Sequence, residues 1–295
     1  MKSFTQLTTN FTTLSRDSAA ANLAIGVTLI NVYIKKILVM KDWTFNRGSY
    51  ADASVAEQQA YPLPYNCGRL IEIKVTPASK INYFPKEISS REIWTKLNRV
   101  EVLGDQAQKF FVEPDEVELY PVPATAGSTI KFYFQKIIKN LATANDYAAG
   151  TVTVEARSKA VLGIGTTFTS AMVGRFITFD DDPYFYEIAS FTDATHVTLK
   201  RETRLAITSG DYDIVEVIPL PDGYEDIPLW GALANYFQMN EDPTQAREYE
   251  RMYKEGIVEL ERRDAKTTGN VMTKETMGID EGGLIDINRW PQDIS

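Results

Sequence analysis

The stretch that decides the fold is residues 222–264, DGYEDIPLWGALANYFQMNEDPTQAREYERMYKEGIVELERRD. Apolar residues in its first half recur at intervals of three and four, which places them along one stripe of an α-helix. The second half carries its apolar residues on one face in the same way, and its opposite face is almost wholly charged. The pattern predicts an amphipathic helical hairpin. Its predicted core residues are Trp230, Leu233, Phe237, Tyr249, Met252, Tyr253 and Leu260.

The corner between the two helices is the sequence Asn-Glu-Asp-Pro at residues 240–243. Asp242 is placed to cap the second helix, and Pro243 stands where a missing N–H costs nothing. Gln245 is placed to close a capping box back to Asp242. Gly256 lowers helix stability by about 1 kcal/mol relative to alanine, so we expect another backbone to approach closely there. The apolar side of the hairpin is expected to pack on the N-terminal helix.

Length, charge and cysteine content narrow the class of protein. The 295 residues predict a substantial core and two domains. A net charge of −9 argues against a general nucleic-acid binder that works through a basic face. The single cysteine, Cys67, can form no intrachain disulfide and suits a reducing compartment. We expect neither a membrane-spanning helix nor a signal peptide, and therefore a protein made in the cytosol.

The sequence before residue 147 predicts two helices with an apolar face, a short third helix and a small sheet. Apolar residues three or four apart predict helices at 4–14 and 19–41, and a serine at 89 or 90 opens a short helix that ends at residue 97. Alternation of apolar and polar residues predicts strands that form one small antiparallel sheet. The predicted strands lie at 69–75 and near 99–103, 109–113, 116–120 and 129–136.

Residues 147–217 have a different pattern, with short alternating strands separated by turn clusters and few helix formers in a row. A unit of this size can fold alone, so we interpret it as an inserted all-β domain. Residues 266–295 contain five glycine and proline positions without a sustained period, yet carry spaced apolar residues. They predict an extended arm that orders on a partner.

The predicted fold class is therefore α+β. Residues 1–146 and 218–265 form a helical bundle with a small antiparallel sheet. Residues 147–217 form the inserted β domain, and residues 266–295 form the extended C-terminal arm.

Signals for catalysis are weak. His196 is the only histidine, which excludes a two-histidine metal site, and its neighbours place it in a strand. Cys67 has no basic residue closer than Arg69, so a small buried residue is favoured over a nucleophile. The glycines at 163 and 165 lack the strand–loop–helix context of a phosphate-binding loop and are interpreted as a turn.

Two acidic groups are the remaining chemical candidates. The run of three aspartates at 180–182 could hold a divalent cation through oxygen ligands, although a solvated hairpin tip is the more common role of such a turn. Glu113 and Asp115 flank a proline and have no distinguishing spacing. We therefore predict no enzyme activity, no catalytic residue, no resident metal and no cofactor.

The order of these elements resembles the head-to-tail adaptor (head-completion, or connector) proteins of tailed bacteriophages, especially the short-tailed ones. Three groups of motifs carry the resemblance, and together they extend over most of the chain. They are YPLPY at 61–65 with SREIW at 90–94, then PLPDGY at 219–224 with WGALA at 230–234, and finally GIGTTF at 163–168, MVGR at 172–175 and THVTL at 195–199. The last group is similar to a β module that recurs in phage virion proteins. The inserted module departs from the smallest adaptors.

The resemblance implies a structural protein of the virion, made in the host cytoplasm and located at the head–tail junction. It implies a dodecameric ring of identical copies beneath the portal protein. The ring would contact a tail or nozzle protein, and DNA would pass through its channel without sequence-specific contact. The C-terminal arm would bind the portal. Its candidate interface residues are Met272, Met277, Leu284, Ile285, Ile287, Arg289 and Trp290.

A second function stays open from the residues alone. Aromatic residues at turns of the inserted unit favour a carbohydrate- or receptor-binding accessory protein of the virion. These residues are Phe168, Tyr184, Phe185 and Tyr186. Alternating aromatic residues more often fill a β core, so the adaptor function is the principal prediction.

Overall fold

Five α-helices are present in the computed structural model, which describes residues 1–64, 66–77, 81–100, 102–137 and 139–267. The helices are α1 (Phe4–Ser15), α2 (Ala20–Met40), α3 (Arg91–Leu97), α4 (Ile227–Met239) and α5 (Pro243–Thr267). The predicted helices at 4–14, 19–41 and 90–97 are thus confirmed, and so is the helical hairpin formed by α4 and α5.

The described ranges also contain fourteen β-strands in three sheets. The strands before residue 147 are β1 (Arg47–Ala53), β2 (Ala60–Pro62), β3 (Cys67–Thr76), β4 (Lys86–Glu87), β5 (Lys109–Val112), β6 (Glu116–Tyr120) and β7 (Thr129–Lys136). Those after it are β8 (Thr151–Val154), β9 (Ala160–Ile164), β10 (Phe176–Phe179), β11 (Asp182–Asp193), β12 (His196–Leu199), β13 (Ile207–Gly210) and β14 (Tyr212–Val215). The chain therefore has a mixed α and β fold.

Helices α1, α2, α4 and α5 share one hydrophobic core. Helix α4 packs against α5, α2 and α1, which confirms the expectation that the hairpin lies on the N-terminal helices. Of the predicted hairpin core, Leu233 and Leu260 are fully buried and Tyr253 is 9% exposed. The remaining members are only partly buried. They are Trp230, Phe237, Tyr249 and Met252.

Local contacts set the ends of these helices. Ser3 and Gln6 form a reciprocal capping box at the start of α1, because each side chain pairs with the other residue's backbone N–H. Asp242 caps α5 as predicted, since its Oδ1 accepts from the Gln245 N–H at 3.2 Å. The predicted capping box at this corner is wrong, because the Asp242 N–H donates to the Phe237 carbonyl at 2.9 Å instead.

Gly256 has a different neighbour from the one expected. A Cβ at this position would lie 2.9 Å from Cγ1 of Ile227 and 3.0 Å from Cζ3 of Trp230, both on α4. Side chains, and not another backbone, therefore approach Gly256. The bulky residues on one turn of α4 occupy the space that a side chain on α5 would need.

Helix α2 is more apolar than the sequence interpretation allowed. By length and composition its 21 residues could cross a membrane, with a mean hydropathy of 1.8, although a helix in the core of a folded protein passes the same test. One face explains part of this hydropathy, because Ile30, Ile34 and Ile37 are buried in the helical core. The other face leaves Val32 and Val39 51% and 85% exposed.

The prediction of one small antiparallel sheet before residue 147 is wrong, because this part of the chain forms two sheets. One is antiparallel with the order β1-β7-β3, and the other has the order β2-β6-β5-β4 with β4 parallel to β5. The predicted strand near 99–103 is also absent from the described residues there, apart from a single bridge between Leu103 and Val122. A shared core that contains Phe110, Val117 and Phe132 holds the two sheets together.

Residues 147–217 contain a curled, seven-stranded antiparallel sheet with the order β13-β8-β9-β12-β11-β10-β14. Strand β11 shifts register by bulges, so one half pairs with β10 and the other half with β12, and this bends the sheet around its own core. The two ends of the unit meet, because the Tyr147 and Ile214 backbones exchange hydrogen bonds of 2.9 and 2.8 Å.

Candidate functional site

The outer face of α5 is the most extensive charged surface of the predicted hairpin. All of its members are exposed, and positive and negative residues are mixed along the helix. They are Arg247, Glu248, Glu250, Arg251, Lys254, Glu255, Glu259 and Arg263. We call this set the α5 charged face. Its residue types follow from the amphipathic pattern, which buries one side of α5 against α4.

Two ion pairs lie within the α5 charged face. Nζ of Lys254 is 2.7 Å from Oε1 of Glu250, and a guanidinium nitrogen of Arg251 is 2.9 Å from Oε1 of Glu255. The hydrogen bond from Lys254 lowers the pKa of Glu250 below its ordinary value. Exposed pairs of this kind contribute little to the stability of a helix, because solvent screens the charges. They can therefore be exchanged for pairs with another surface at little cost.

The C-terminal end of α5 is fixed to the turn that follows α2. Asp264 is 4% exposed and accepts hydrogen bonds from the Thr44 N–H at 2.9 Å and from the Thr44 hydroxyl at 2.5 Å. Next to this turn, the indole N–H of the buried Trp43 donates to the Ile37 carbonyl at 2.6 Å. These contacts fix the last turns of α5 on the helical body.

A cavity of about 610 Å³ lies beside this end of α5. Its walls come from α5, from residues 217–221, from the Thr44–Asn46 turn and from β10 and β11. This volume is in the range of ligand-binding clefts. Its charged lining groups are the N-terminal amine of Met1 and the side chains of Lys136, Glu187, Arg263 and Asp264. The cavity is suited to binding.

The predicted portal-binding residues lie outside the described residues. This holds for Met272, Met277, Leu284, Ile285, Ile287, Arg289 and Trp290. The structure therefore gives only the position of the end of α5, at Thr267.

His196 lies in strand β12, as predicted, and it is exposed at a hairpin. Its Nδ1 is 2.9 Å from Oδ1 of Asp193, and the backbone N–H and hydroxyl of Thr195 donate to the same oxygen at 2.8 Å. These hydrogen bonds, with that from His196 the largest cause, lower the pKa of Asp193 to about 2. His196 therefore closes a turn, and no other acid or base group is arranged around it in this hairpin.

The other chemical candidates have structural partners. Cys67 is half-buried at the start of β3, and burial raises the pKa of its thiol, which lowers its reactivity. Asp182 is buried and accepts a hydrogen bond of 2.7 Å from the Tyr186 hydroxyl, so only part of the run at 180–182 faces solvent. Glu113 forms an ion pair with Arg91. Within the ranges described above, no three histidine, cysteine or acidic side chains are grouped to hold a metal.

One surface was missed by the sequence interpretation. A groove lies where α2, α4 and α5 meet, and it is lined by Tyr33, Lys36, Arg247 and Tyr253 among others. The spacing of Tyr33 and Lys36 shows that they share a face of α2. Nothing in the sequence indicates that α5, which lies more than 200 positions later, completes the groove.

The sequence matches no protein-family model, and no curated protein matches it at a significant level. The functional interpretation therefore depends on the surfaces described above and on the motifs of the sequence.

Proposed function

We propose that the protein is a structural component of a phage virion, which forms a ring of identical copies between the portal of the capsid and the tail. The α5 charged face carries this proposal. In the proposed ring, α1, α2, α4 and α5 act as a helical bundle, and the bundles of neighbouring copies stand side by side. The inserted β domain would lie at the periphery of each copy.

The α5 charged face suits contacts between copies because it carries both signs along one exposed helix. Because the face carries both signs, a positive residue of one copy can pair with a negative residue on the same face of the next copy. Contacts of this type set register and partner choice more than affinity. The weak ion pairs within the helix, Glu250–Lys254 and Arg251–Glu255, can rearrange when two copies meet.

The proposed portal contact is the C-terminal arm. Residues 268–295 begin where Asp264 and Thr44 fix the end of α5, so the arm of each copy in a ring would start from an equivalent place. Spaced apolar residues suit coupled folding in a groove of a partner, and Trp290 is the best single anchor. A net charge of −9 on each copy would repel DNA from the wall of a channel.

Truncation after Thr267 tests the portal contact. We expect the truncated chain to unfold at the temperature of the full-length protein, because the helical core and the Asp264 contacts are retained, but to lose binding to assembled portal rings. The measurement is native mass spectrometry of each chain with and without portal. Full retention of portal binding by the truncated chain would rule out the arm as the contact.

Charge reversal tests the ring contact. Lys254→Glu on the α5 charged face should lower the oligomer population in the presence of portal, whereas Lys200→Glu should not. Lys200 is a matched control, because it is an exposed lysine that pairs with Glu187 on the inserted sheet. A wild-type chain that stays monomeric beside an assembled portal would contradict the ring proposal as a whole.

A second candidate is a carbohydrate- or receptor-binding accessory protein. One observation favours it: the guanidinium of Arg204 lies 4.6 Å from the ring centroid of Tyr184, which is 49% exposed on the inserted unit. Phe168 and Tyr186 are buried and cannot contribute to such a surface without unfolding. A glycan array without signal for the wild-type chain would dismiss this candidate.

A further inference from the structure

The groove between α2, α4 and α5 has a volume of about 490 Å³. Helix α2 contributes Lys36, α4 contributes Asn235 and Gln238, and α5 contributes Arg247, Tyr253 and Lys254. Every one of these side chains has a hydrogen-bond donor. A groove with donors from three helices is suited to a ligand whose surface consists of acceptors.

The charges that line the groove are unbalanced. Lys36, Arg247 and Lys254 are positive, and Glu250 is the only acidic residue on the wall. Lys254 and Glu250 pair at 2.7 Å, which leaves Lys36 and Arg247 as an excess of positive charge. Arg247 makes no ion pair within the residues that the structure describes. This local excess is unusual on a chain whose net charge is −9.

Tyr253 adds a buried donor. Its side chain is 9% exposed, and its hydroxyl has no hydrogen-bond partner among the described residues. Burial raises the pKa of Tyr253 to about 12, so the hydroxyl keeps its proton over the physiological range. The exposed side chain of Lys36 places its Nζ 5.9 Å from the centre of the Tyr253 ring. Tyr253 lines the groove, so its hydroxyl is a donor there whose hydrogen bond no described residue accepts.

The wall behind the groove is tightly packed. The rings of Tyr33 and Tyr253 meet edge to face with centroids 5.2 Å apart. Tyr33 lies against Gly231 of α4, where a Cβ would be only 2.3 Å from its Cδ1. The Nζ of Lys36 is 5.3 Å from the Tyr33 ring centre. The two rings therefore form a closely packed wall behind the groove.

We propose that this groove binds a phosphate group, either as inorganic phosphate or as the monoester of a small molecule. A phosphate group carries about −1.5 to −2 charges at neutral pH, which matches the excess of two positive side chains better than a single carboxylate does. Arg247 offers a planar, bidentate contact, Lys36 offers a point charge, and the Tyr253 hydroxyl donates to a third oxygen. The volume leaves room for the organic part of a monoester. This inference does not require the proposed ring, but Arg247, Glu250 and Lys254 belong both to the groove and to the α5 charged face.

The direct test is thermal unfolding of the full-length chain during titration with sodium phosphate, glycerol phosphate, acetate or chloride at equal ionic strength. Phosphate or glycerol phosphate should raise the unfolding temperature, and acetate and chloride should not. The compound that raises the unfolding temperature more, phosphate or glycerol phosphate, shows whether the site prefers free phosphate or a monoester. Equal effects of all four salts would overturn the proposal. So would a stronger effect of a short DNA duplex than of either phosphate compound.

Two variants and a control locate the site. Arg247→Gln should weaken phosphate binding about tenfold, since it removes a charge-assisted contact. Arg262→Gln removes an equal charge from an exposed position of α5 that does not line the groove, and it should bind as the wild type does. Tyr253→Phe should weaken binding about fivefold. Without ligand this variant should unfold at a higher temperature, because it removes an unpaired hydroxyl. Wild-type phosphate binding by Arg247→Gln or by Tyr253→Phe would refute the assignment.

Discussion

At the scale of single residues, Gly231 shows how a local preference gives way to packing. Glycine inside a helix lowers stability by about 1 kcal/mol relative to alanine. The structure explains its place in α4, because the ring of Tyr33 from α2 occupies the position of a Cβ at a distance of 2.3 Å. The tyrosine–glycine contact brings α2 and α4 close together. The same contact positions Tyr33 beside Tyr253.

Gly231→Ala should lower the free energy of unfolding by about 1–2 kcal/mol, because the overlap with Tyr33 outweighs the gain in helix propensity. In a Tyr33→Ala background the overlap is gone, and the same substitution should raise stability by up to about 1 kcal/mol. Urea denaturation of the four chains measures the cycle. The same sign in both backgrounds would contradict this account.

Asp193 provides a residue-scale prediction about pH. Its pKa of about 2 lies below the ordinary 3.8, chiefly because of the hydrogen bond from His196. A lowered carboxyl pKa means that the interaction stabilises the fold above pH 3.8 and is lost as the pH falls toward 2. His196→Ala should therefore raise the pKa of Asp193 toward 3.8 in an NMR titration. An unchanged value would assign the shift to Thr195 alone.

At the scale of elements, the α4–α5 hairpin follows from its pattern, but the depth of each side chain depends on its neighbours. Leu233 lies at the centre of the helical core and is fully buried. Trp230 has the larger side chain, yet it is only partly buried, with its Cζ3 against Gly256 of α5. The largest side chain of the apolar stripe, Trp230, is thus not its most buried one.

Trp230→Ala should destabilise the protein by about 2–3 kcal/mol, below the 3–5 kcal/mol expected for a fully buried tryptophan. Leu233→Ala should cost a similar amount despite its smaller side chain, because its cavity is closed. Met239→Ala is the control, since Met239 is 59% exposed on the same helix and should change stability by less than about 0.5 kcal/mol. Circular dichroism during thermal unfolding checks all three. A Trp230→Ala chain that unfolds at the wild-type temperature would show that packing of Trp230 does not stabilise the hairpin.

At the scale of the whole molecule, the seven-stranded unit has its own core, and its two ends exchange backbone hydrogen bonds at Tyr147 and Ile214. Contacts on the body side hold this junction. The Glu216 carboxylate accepts from the Ala142 N–H at 2.7 Å and from the Asn145 side chain at 2.8 Å. Val217 continues the junction by pairing with Ser3, just before α1.

Excision of residues 148–213, with Tyr147 and Ile214 joined by an Asn-Gly turn, should leave a folded body. The antiparallel bridge places the two residues at the spacing that such a turn closes. Calorimetry should show the loss of one unfolding transition with the other retained. A chain without cooperative unfolding would show that the body and the inserted unit depend on each other.

The helices and the corner could be predicted because their signals are local. Asp242, Pro243 and the apolar stripe of α4 act within a few residues of each other, and strands β8, β10 and β12 follow from alternation. The turn predicted at the glycines 163 and 165 is partly wrong, because Gly163 lies in β9 and pairs with Val152. Strand β1 was missed, because its small and polar residues have little strand character until β7 pairs with it. The short β4 was missed for the same reason, since it gains its place only beside β5.

By itself, the sequence determined the helical hairpin, several strands of residues 147–217 and the charge of the chain, since periodicity, capping residues and composition need no distant partner. Tertiary structure alone decided that Gly231 receives Tyr33 and that the early strands form two sheets. It also decided that Lys36 meets Arg247 and Tyr253 in one groove. The physical reason is that packing and charge depend on distances in space, and these contacts join residues that lie far apart along the chain.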